Sequence, residues 1–477
     1  MRMCRFLIGL LLGAVPAAAG EGGDWRDRIV FTASERLRGE FVDWFRPRSG
    51  PRGANRYDFL GSRLRAGVSV TFPHLQLVVQ GQDTRFAGLP DDAVVPPAGA
   101  LGPGALYFLH THDTAQGEPF LKLGFLTFRR SGLTATGGRF EYADGLETEP
   151  ADPTLAFVKR FRIAERLVGP FSYSHVSRSF DGGRVSYDRP AWNVTAMAVR
   201  PTHGGFEVSA NREIGAVGLA GLALTLKRLP HAPPADVRVF YLYYDDRRRT
   251  AKVDNSADPE MDRGRIAIHS AGAHAATVID VPAGAVDALL WGVVQAGRWG
   301  RLDHAAWAGA AEGGYQLARV PWTPWLRVGY DRSSGDDDPT DHCHGTFFQV
   351  LPTARLYAQT PFFNLMNTAD AFAQVILVPH RRVSVRVDHH WLSLSEVRDR
   401  WYSGSGATKD DAFGYTGLPS GGRRELARLV DASIAVDLAK HLSCNTYYGH
   451  TFGEGVVRTT FAGAEADYGY VELVLSF

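Results

Sequence analysis

The sequence predicts an all-β fold, a transmembrane antiparallel β-barrel of about 18 strands (16–18) with short periplasmic turns and long extracellular loops. Three observations predict it. First, the chain ends on an alternating strand: Val471, Leu473, Leu475 and Phe477 fall on one face, and Tyr470, Glu472, Val474 and Ser476 on the other. A wall between lipid and water requires that alternation, and a terminal aromatic residue resembles the ending of bacterial outer-membrane barrels. Second, the chain opens on a basic Met1–Arg5 segment, an apolar Phe6–Val15 run and small residues Ala17, Ala18 and Ala19. This reads as a secretory signal peptide over residues 1–19, leaving 20–477 as the barrel. Third, no later apolar run has the length of a spanning helix. The longest, Ala285–Gly297, is too short and carries Asp287.

Composition narrows the reading. The chain has 477 residues with 52 glycines, 5 methionines and a formal net charge of +1, and no composition break divides it. That balance suits a large barrel whose inner half is polar. It offers no basic excess for nucleic acid. Only six of the 52 basic residues are lysines, so nearly all positive charge is guanidinium, which grips carboxylates and phosphates in fixed forks. Cys4 leaves with the signal peptide. Cys343 and Cys444 are too few for a disulfide scaffold, and their pairing is left open.

Period-two segments recur along the chain. Leu64, Ala66, Val68 and Val70 alternate with Arg63, Arg65, Gly67 and Ser69; Val383, Val385 and Val387 alternate with Ser384, Arg386 and Asp388; Ala432, Ile434, Val436 and Leu438 alternate with Asp431, Ser433, Ala435 and Asp437. Charges always oppose the aliphatic face, as they must when an Arg at the bilayer midplane costs about 2–4 kcal/mol. Tight turns at Phe72–His74, Val378–His380 and Ala439–His441 alternate with long polar loops at 45–58, 246–264, 331–367 and 397–424. Counting back from the C-terminus places strands at 466–477, 441–452, 426–438, 382–394, 369–378 and 325–332. The segments 105–130 and 270–316 divide in more than one way, which leaves the count at 16–18. A barrel of this size encloses an aqueous lumen unless something fills it.

Two segments carry a family resemblance. Gly138-Arg139-Phe140-Glu141 leads to Arg166-Leu167-Val168-Gly169-Pro170-Phe171 and then to Arg178-Ser179-Phe180-Asp181-Gly182. A later stretch, Thr346–Asn367, contains Leu351-Pro352-Thr353 and Asn364-Leu365-Met366-Asn367. These resemble the alginate export family of outer-membrane barrels, over about residues 60–477. The resemblance implies a monomeric channel whose lumen is narrowed by loops and lined with arginine, and whose best-understood member passes a polyanionic uronate polymer outward. The stretch from Tyr142 to Arg166 is longer than the family pattern.

The side-chain chemistry is compatible. A polyuronate carries one carboxylate per sugar, and a charged lumen in a low-dielectric wall concentrates such ions. The candidate lumen residues are Arg139 with Glu141 on one strand face, Arg160 (beside Arg162) on another, Arg166, Arg178 with Asp181 at a strand start, and Arg63, Arg65, Arg386 and Asp388 projecting inward. The alternative for each is a salt-bridge ladder that stiffens a polar interior. The alternative function is a general or substrate-specific porin for small-solute uptake. Expected partners are an anionic polysaccharide or small anionic solute, outer-membrane lipid and lipopolysaccharide, the barrel assembly machinery and periplasmic export proteins.

No catalytic residue, metal site or cofactor is expected. Asp336–Asp338 with Asp341, His342 and His344 lack the ligand spacing of a known loop site. Gly404-Ser405-Gly406 lacks the spacing of a nucleophile elbow. His389, His390 and Ser393 share one strand at separations too wide for a dyad. Arg247, Arg248 and Arg249 form a basic outer loop. The loops 331–367 and 142–166, being long and partly apolar, are the candidates for filling the lumen.

Overall fold

A computed structural model describes residues 28–228, 232–255, 262–353 and 359–477; the signal-peptide reading falls outside them. Alternation becomes architecture over the whole length. The main sheet has 19 strands, of which one is the two-residue Cys343–His344 pair in a loop, leaving 18 for the wall. These are β1 (Ile29–Asp43), β2 (Arg56–Thr71), β3 (Leu75–Ala87), β4 (Ala115–Arg130), β5 (Leu133–Phe140), β6 (Phe180–Asp188), β7 (Trp192–Pro201), β8 (Val217–Leu226) and β9 (Ala235–Asp246). The second half comprises β10 (Ile266–Val281), β11 (Gly284–Trp299), β12 (Leu302–Leu317), β13 (Trp325–Ser333), β14 (Thr368–His380), β15 (Val383–Leu394), β16 (Glu425–Ala439), β17 (Leu442–Gly453) and β18 (Glu465–Ser476).

Every wall strand pairs antiparallel with its chain neighbours, and β1 pairs with β18 from Ser34↔Ser476 to Asp43↔Asp467, which closes the barrel. Closure removes both sheet edges, so each wall strand is hydrogen-bonded to a neighbour on either side, as a bilayer demands. Side chains stitch the same seam. The Arg38 guanidinium donates to Glu472 at 2.5 and 2.9 Å and stacks 4.5 Å from the Tyr470 ring centroid.

The two faces of the wall separate as the alternation requires. Outward residues are aliphatic or aromatic, such as Leu64, Leu126, Val328, Leu473 and Phe477, and are exposed. The inward alternates Arg38, Asp287, Glu312, Arg327 and Asp431 are buried. The apolar run of β11 is a wall strand, with Asp287 aimed inward. Among the described residues no helix is long and apolar enough to cross a membrane. Both termini of the barrel and the short turns lie at one rim, the periplasmic one, and the long loops at the other. One loop-side connection is an exception: β11 and β12 are joined by Gly300 and Arg301 alone. Gly300 sits at φ 62, and a Cβ there would lie 2.0 Å from an Asp262 oxygen, so this tight turn under the 247–265 loop needs glycine.

The long loops fold inward. Loop 88–114 carries helix α1 (Pro103–Thr111), whose Tyr107 packs on Phe86 at 4.2 Å between ring centroids and accepts the His175 N–H. Loop 141–179 carries α2 (Pro153–Val158), capped by the Asp152 carboxylate on Leu155 N–H at 2.8 Å and running into a π-helical turn, Lys159–Ile163. Residues 334–353 and 359–367 of one further loop, and loop 395–424, lie against it. Leu351 donates its N–H to the Leu167 carbonyl and accepts the Gly169 N–H of loop 141–179, and Phe362 meets Trp401 and Phe45 in an aromatic cluster. These loops, with inward wall side chains such as Phe59, Phe86, Trp291 and Leu429, form the hydrophobic core: a plug in the outer half of the lumen. Towards the periplasm the inward residues Thr32, Ser34, Ser69, Ser186 and Val474 are half-buried, and the lumen opens into a vestibule.

Candidate functional site

The lumen has two chemically opposite walls. Inward positions of β1–β6 carry Arg36, Arg38, Arg63, Arg65, Lys122, Arg129 and Arg184. Inward positions of β9–β16 carry Asp236, Asp287, Glu312, Asp331, Asp370, Asp388 and Asp431. Strand alternation puts each there: Arg63 and Arg65 share a face with Phe59 and Gly61, opposite Leu60 and Leu64.

The acidic wall holds the plug. Glu312 accepts Arg162 at 2.7 Å, Arg166 at 2.7 Å and Arg327 at 3.2 Å; Arg166 also donates to Asp331 at 2.6 Å. Arg327 closes onto Asp287, which the Trp325 indole N–H reaches at 2.8 Å. One turn away, Lys159 donates to Asp236 at 2.7 Å, and the other oxygen of Asp236 meets His274 at 2.7 Å. In the reverse sense, wall Arg238 grips plug Asp144 and Glu147 at 2.6 and 2.7 Å. All are buried. Burial pulls the Lys159 ammonium below its ordinary range, against the attraction of Asp236. Further round, Arg386 pairs with Asp388 at 2.7 Å and His390 with Asp370 at 2.8 Å. Each of the seven carboxylates named on this wall thus has a cationic or hydroxyl partner, Asp431 through the Tyr447 hydroxyl at 3.1 Å, while Asp280 and Asp437 at its periplasmic end have none among the described residues.

The basic wall is less fully matched. Arg38 is held by Glu472, and Lys122 and Arg65 share Glu141 at 3.0 and 3.3 Å. Arg36 donates to the plug carbonyls of Ser172 and Ser174. Opposite them the plug presents His175, which meets Glu40 at 2.7 Å and whose imidazole burial pushes down to about 3. Arg63, Arg129 and Arg184 form no ion pair among the described residues. Arg129 reaches only Gln76, at 2.9 Å, and Arg184 lies over the Phe140 ring. Arg129 is exposed and Arg184 half-buried along the vestibule, whereas Arg63 lies level with Arg36, its Nε and Nη1 atoms buried without a hydrogen-bond partner.

The structure places several expected residues elsewhere. Arg139 and Asp181 pair at 2.6 Å but lie on the outward parity of β5 and β6, alternating with inward Phe140 and Phe180. Their partner Asn211 belongs to an outer loop, so they brace the outer rim. Glu141 does not share their face: it lies one residue past β5 and turns inward. Arg160 is on no strand. It lies on the π-helical turn and pairs at 3.3 Å with half-exposed Glu149, whereas Arg162, on the same turn, reaches the Glu312 hub. Arg178 precedes β6 and does not meet Asp181; it donates to the carbonyls of Ser405 and Ala407 at 2.7 and 3.4 Å, latching loop 395–424 to the plug. Burial, the main cause, lowers its guanidinium to about 10. Arg166 is the central plug arginine, and Arg63, Arg65, Arg386 and Asp388 face the lumen. Unanticipated are Glu312, Asp331, Asp287, Arg238 and Arg327, the receiving half of the network. Cys343 and Cys444 are unpaired. His389 and His390 point to opposite faces, and neither reaches Ser393. Among the described residues no His, Cys, Asp or Glu cluster is arranged to hold a metal ion.

Solved structures share the barrel at low sequence identity. OccAB2 of Acinetobacter baumannii aligns with a TM-score of 0.60 at 9% identity, covering 95% of this chain and 99% of that one. OccK2 (OpdF) of Pseudomonas aeruginosa, solved in complex with glucuronate, gives 0.57 at 7%, covering 94% and 98%. The outer membrane protein OpdK of the same organism gives 0.54 at 8%, covering 94% and 99%. No curated protein matches the chain. The family model described as alginate export matches residues 28–463. With a closed wall of 18 strands, an inward-folded plug and charged lumen faces, this outer-membrane channel belongs to the alginate export family.

Proposed function

We infer that the channel passively conducts anionic saccharides, uronate oligomers or polymers, outward across the outer membrane, with no chemistry of its own. One observation carries this reading. At plug level the carboxylates of the acidic wall are engaged by plug and wall partners, while on the basic wall Arg129 and Arg184 face the vestibule, and Arg63 lies above them, all three without ion pairs. Along the basic side of the vestibule a solute entering from the periplasm therefore meets a positive field, across the lumen from Asp280 and Asp437, and a low-dielectric wall strengthens it. Several spaced guanidiniums suit conduction better than one tight site, because a repeating carboxylate can pass from one to the next. Glucuronate bound in the similarly folded OccK2 is consistent with uronates as cargo.

The test is ion selectivity in planar bilayers, for the wild type and for the triple variant Arg63→Gln/Arg129→Gln/Arg184→Gln. The wild type should prefer anions and be blocked by oligouronates from the periplasmic side in a length-dependent way. The triple variant should lose both properties while keeping its conductance. An unselective wild type that ignores oligouronates would make this a general porin.

A further inference from the structure

The two rims of the barrel differ in the sign of their charge. The outer connections carry Asp and Glu about as often as Arg and Lys. The eight short periplasmic turns carry Arg189, Lys227, Arg228, Arg319, Arg381, Arg382 and Lys440, and no Asp or Glu. The four acids within three residues of a turn, Asp188, Asp236, Asp280 and Asp437, all project inward by strand alternation. At the end of β4, Arg129 turns inward and Arg130 therefore outward, opposite Leu133. Lys227 pairs with Asp188 at 2.9 Å, and Arg189 donates to the Tyr187 hydroxyl. Arg130, Arg228, Arg319, Arg381, Arg382 and Lys440 are exposed and form no ion pair among the described residues. Four of these six stand on three successive turns, between β12 and β17. The C-terminal carboxylate of Phe477 adds a single negative charge to this rim.

The outward wall fixes the depth of these cations. At its periplasmic end it exposes aliphatic side chains, Ile279, Leu326, Leu438 and Leu475, and it is edged by the exposed aromatics Phe31, Phe72, Trp322 and Phe477. Such girdles mark the membrane–water interface. His441 stacks on Phe477 with ring centroids 5.2 Å apart. The turns Arg381-Arg382 and Lys440-His441 comprise two residues each, so their cations start from the foot of the wall. The longer turn 318–324 is pinned to its neighbours: the Leu317 N–H donates to the Pro324 carbonyl and the Val378 N–H to the Trp322 carbonyl, both at 2.8 Å. Its Val320 and Trp322 side chains stay exposed beside Arg319. Cations at the foot of an apolar, aromatic-edged wall stand at the head-group height of the periplasmic leaflet.

We propose that this rim, most densely along β12–β17, binds anionic phospholipid of the inner leaflet, its guanidiniums and the Lys440 ammonium taking the phosphates and the wall above them receiving the acyl chains. Charge complementarity selects the lipid class. The acids nearest the turns face the lumen, so the outward potential is left uncancelled, and membrane-proximal Lys and Arg gather anionic lipid through such a field. A zwitterionic head group gains less, because its ammonium finds no carboxylate on the outward face of the turns. Arginine adds a planar fork that pairs two phosphate oxygens at once. The site is separate from the conduction pathway, whose vestibule cations are the inward Arg129 and Arg184.

The test uses the full-length barrel in phosphatidylcholine nanodiscs, with spin-labelled phosphatidylglycerol and spin-labelled phosphatidylcholine as probes of wall-bound lipid. The variant Arg319→Gln/Arg381→Gln/Arg382→Gln/Lys440→Gln is compared with Arg46→Gln/Arg52→Gln/Arg423→Gln/Arg458→Gln, which removes four exposed cations from the outer side. Heat-modifiable gel mobility establishes that each is folded, and bilayer conductance reports the lumen separately. The wild type should hold phosphatidylglycerol about threefold or more in preference to phosphatidylcholine, and the preference should fall as salt is raised. The periplasmic variant should lose most of it with unchanged conductance, and the outer variant should keep it. Equal association of the two lipids with the wild type, a preference insensitive to salt, equal loss in both variants, or displacement of phosphatidylglycerol by oligouronate would overturn the proposal.

Discussion

The two lumen walls carry similar numbers of charges and do opposite things with them. On β9–β16 the carboxylates are spent on structure. Glu312 alone receives Arg162, Arg166 and Arg327, so the plug is bolted to this wall by buried ion pairs. On β1–β6 only the outer members are matched, by Glu472, Glu40 and Glu141, and those facing the vestibule are left to solvent. Buried pairs need not add net stability, but breaking one strands a charge in a poor solvent. The comparison teaches that the same residue type, arginine, is an anchor where the opposing strand supplies acid and stays without an ion pair where it does not.

The largest effect is expected from Glu312→Ala, which leaves three buried guanidiniums without their shared acceptor. The cost, about 3–5 kcal/mol, should release the π-helical turn from β12. Single-channel conductance should rise several-fold and loop 141–179 should become open to protease; unchanged conductance would show that the plug is held from the other wall.

Acidification probes that other side. The buried His175 imidazole titrates at about 3, far below its ordinary value near 6.5, so the folded plug favours the neutral ring. Stability is therefore complete above about pH 6.5 and falls as pH drops towards 3, because unfolding lets the ring take up a proton. Gating noise should rise over that window in the wild type and to a lesser extent in His175→Gln. A pH-independent record would remove His175 from the account.

A smaller and sharper contrast separates Arg178 from its neighbours. Arg178→Met leaves the Ser405 and Ala407 carbonyls without their donor, at a cost of about 1–3 kcal/mol. It should raise proteolysis of loop 395–424 without altering ion selectivity. Smallest of all, Arg160→Ala and Arg139→Gln should leave anion preference unchanged, the first because its pair with Glu149 is partly solvated and worth at most about 1 kcal/mol, the second because it faces outward.

Why was the wall so legible and the plug so opaque? Wall strands obey a local rule, and β13–β18 fall within two residues of the strands read from alternation alone. Arg63, Arg65, Arg386 and Asp388 inherit their direction from that rule. Arg139 shows its limit: alternation says which residues share a face, and only register with β4 and β6 says which face is inside. Glycine at 138, with φ 119, lies just where parity had to be counted. The plug obeys no local rule. Arg162 and Glu312 are 150 residues apart, and the spacing of Arg160 and Arg162 mimics a strand on what is a helical turn. Family resemblance in 138–182 pointed to the right segment, but not to the acids on β9–β13 that receive it.

The seam between β1 and β18 has one more consequence. Arg38 finds its closest carboxylate on the last strand made, almost the whole chain away. A polypeptide truncated before Glu472 would leave Ser34–Arg38 with no strand on that side, and would leave Arg38 only Glu40, 3.7 Å away, as a carboxylate. Closure and charge neutralisation are thereby coupled: the final strand delivers both the last hydrogen-bonded edge of the wall and the carboxylate that Arg38 pairs with at 2.5 Å.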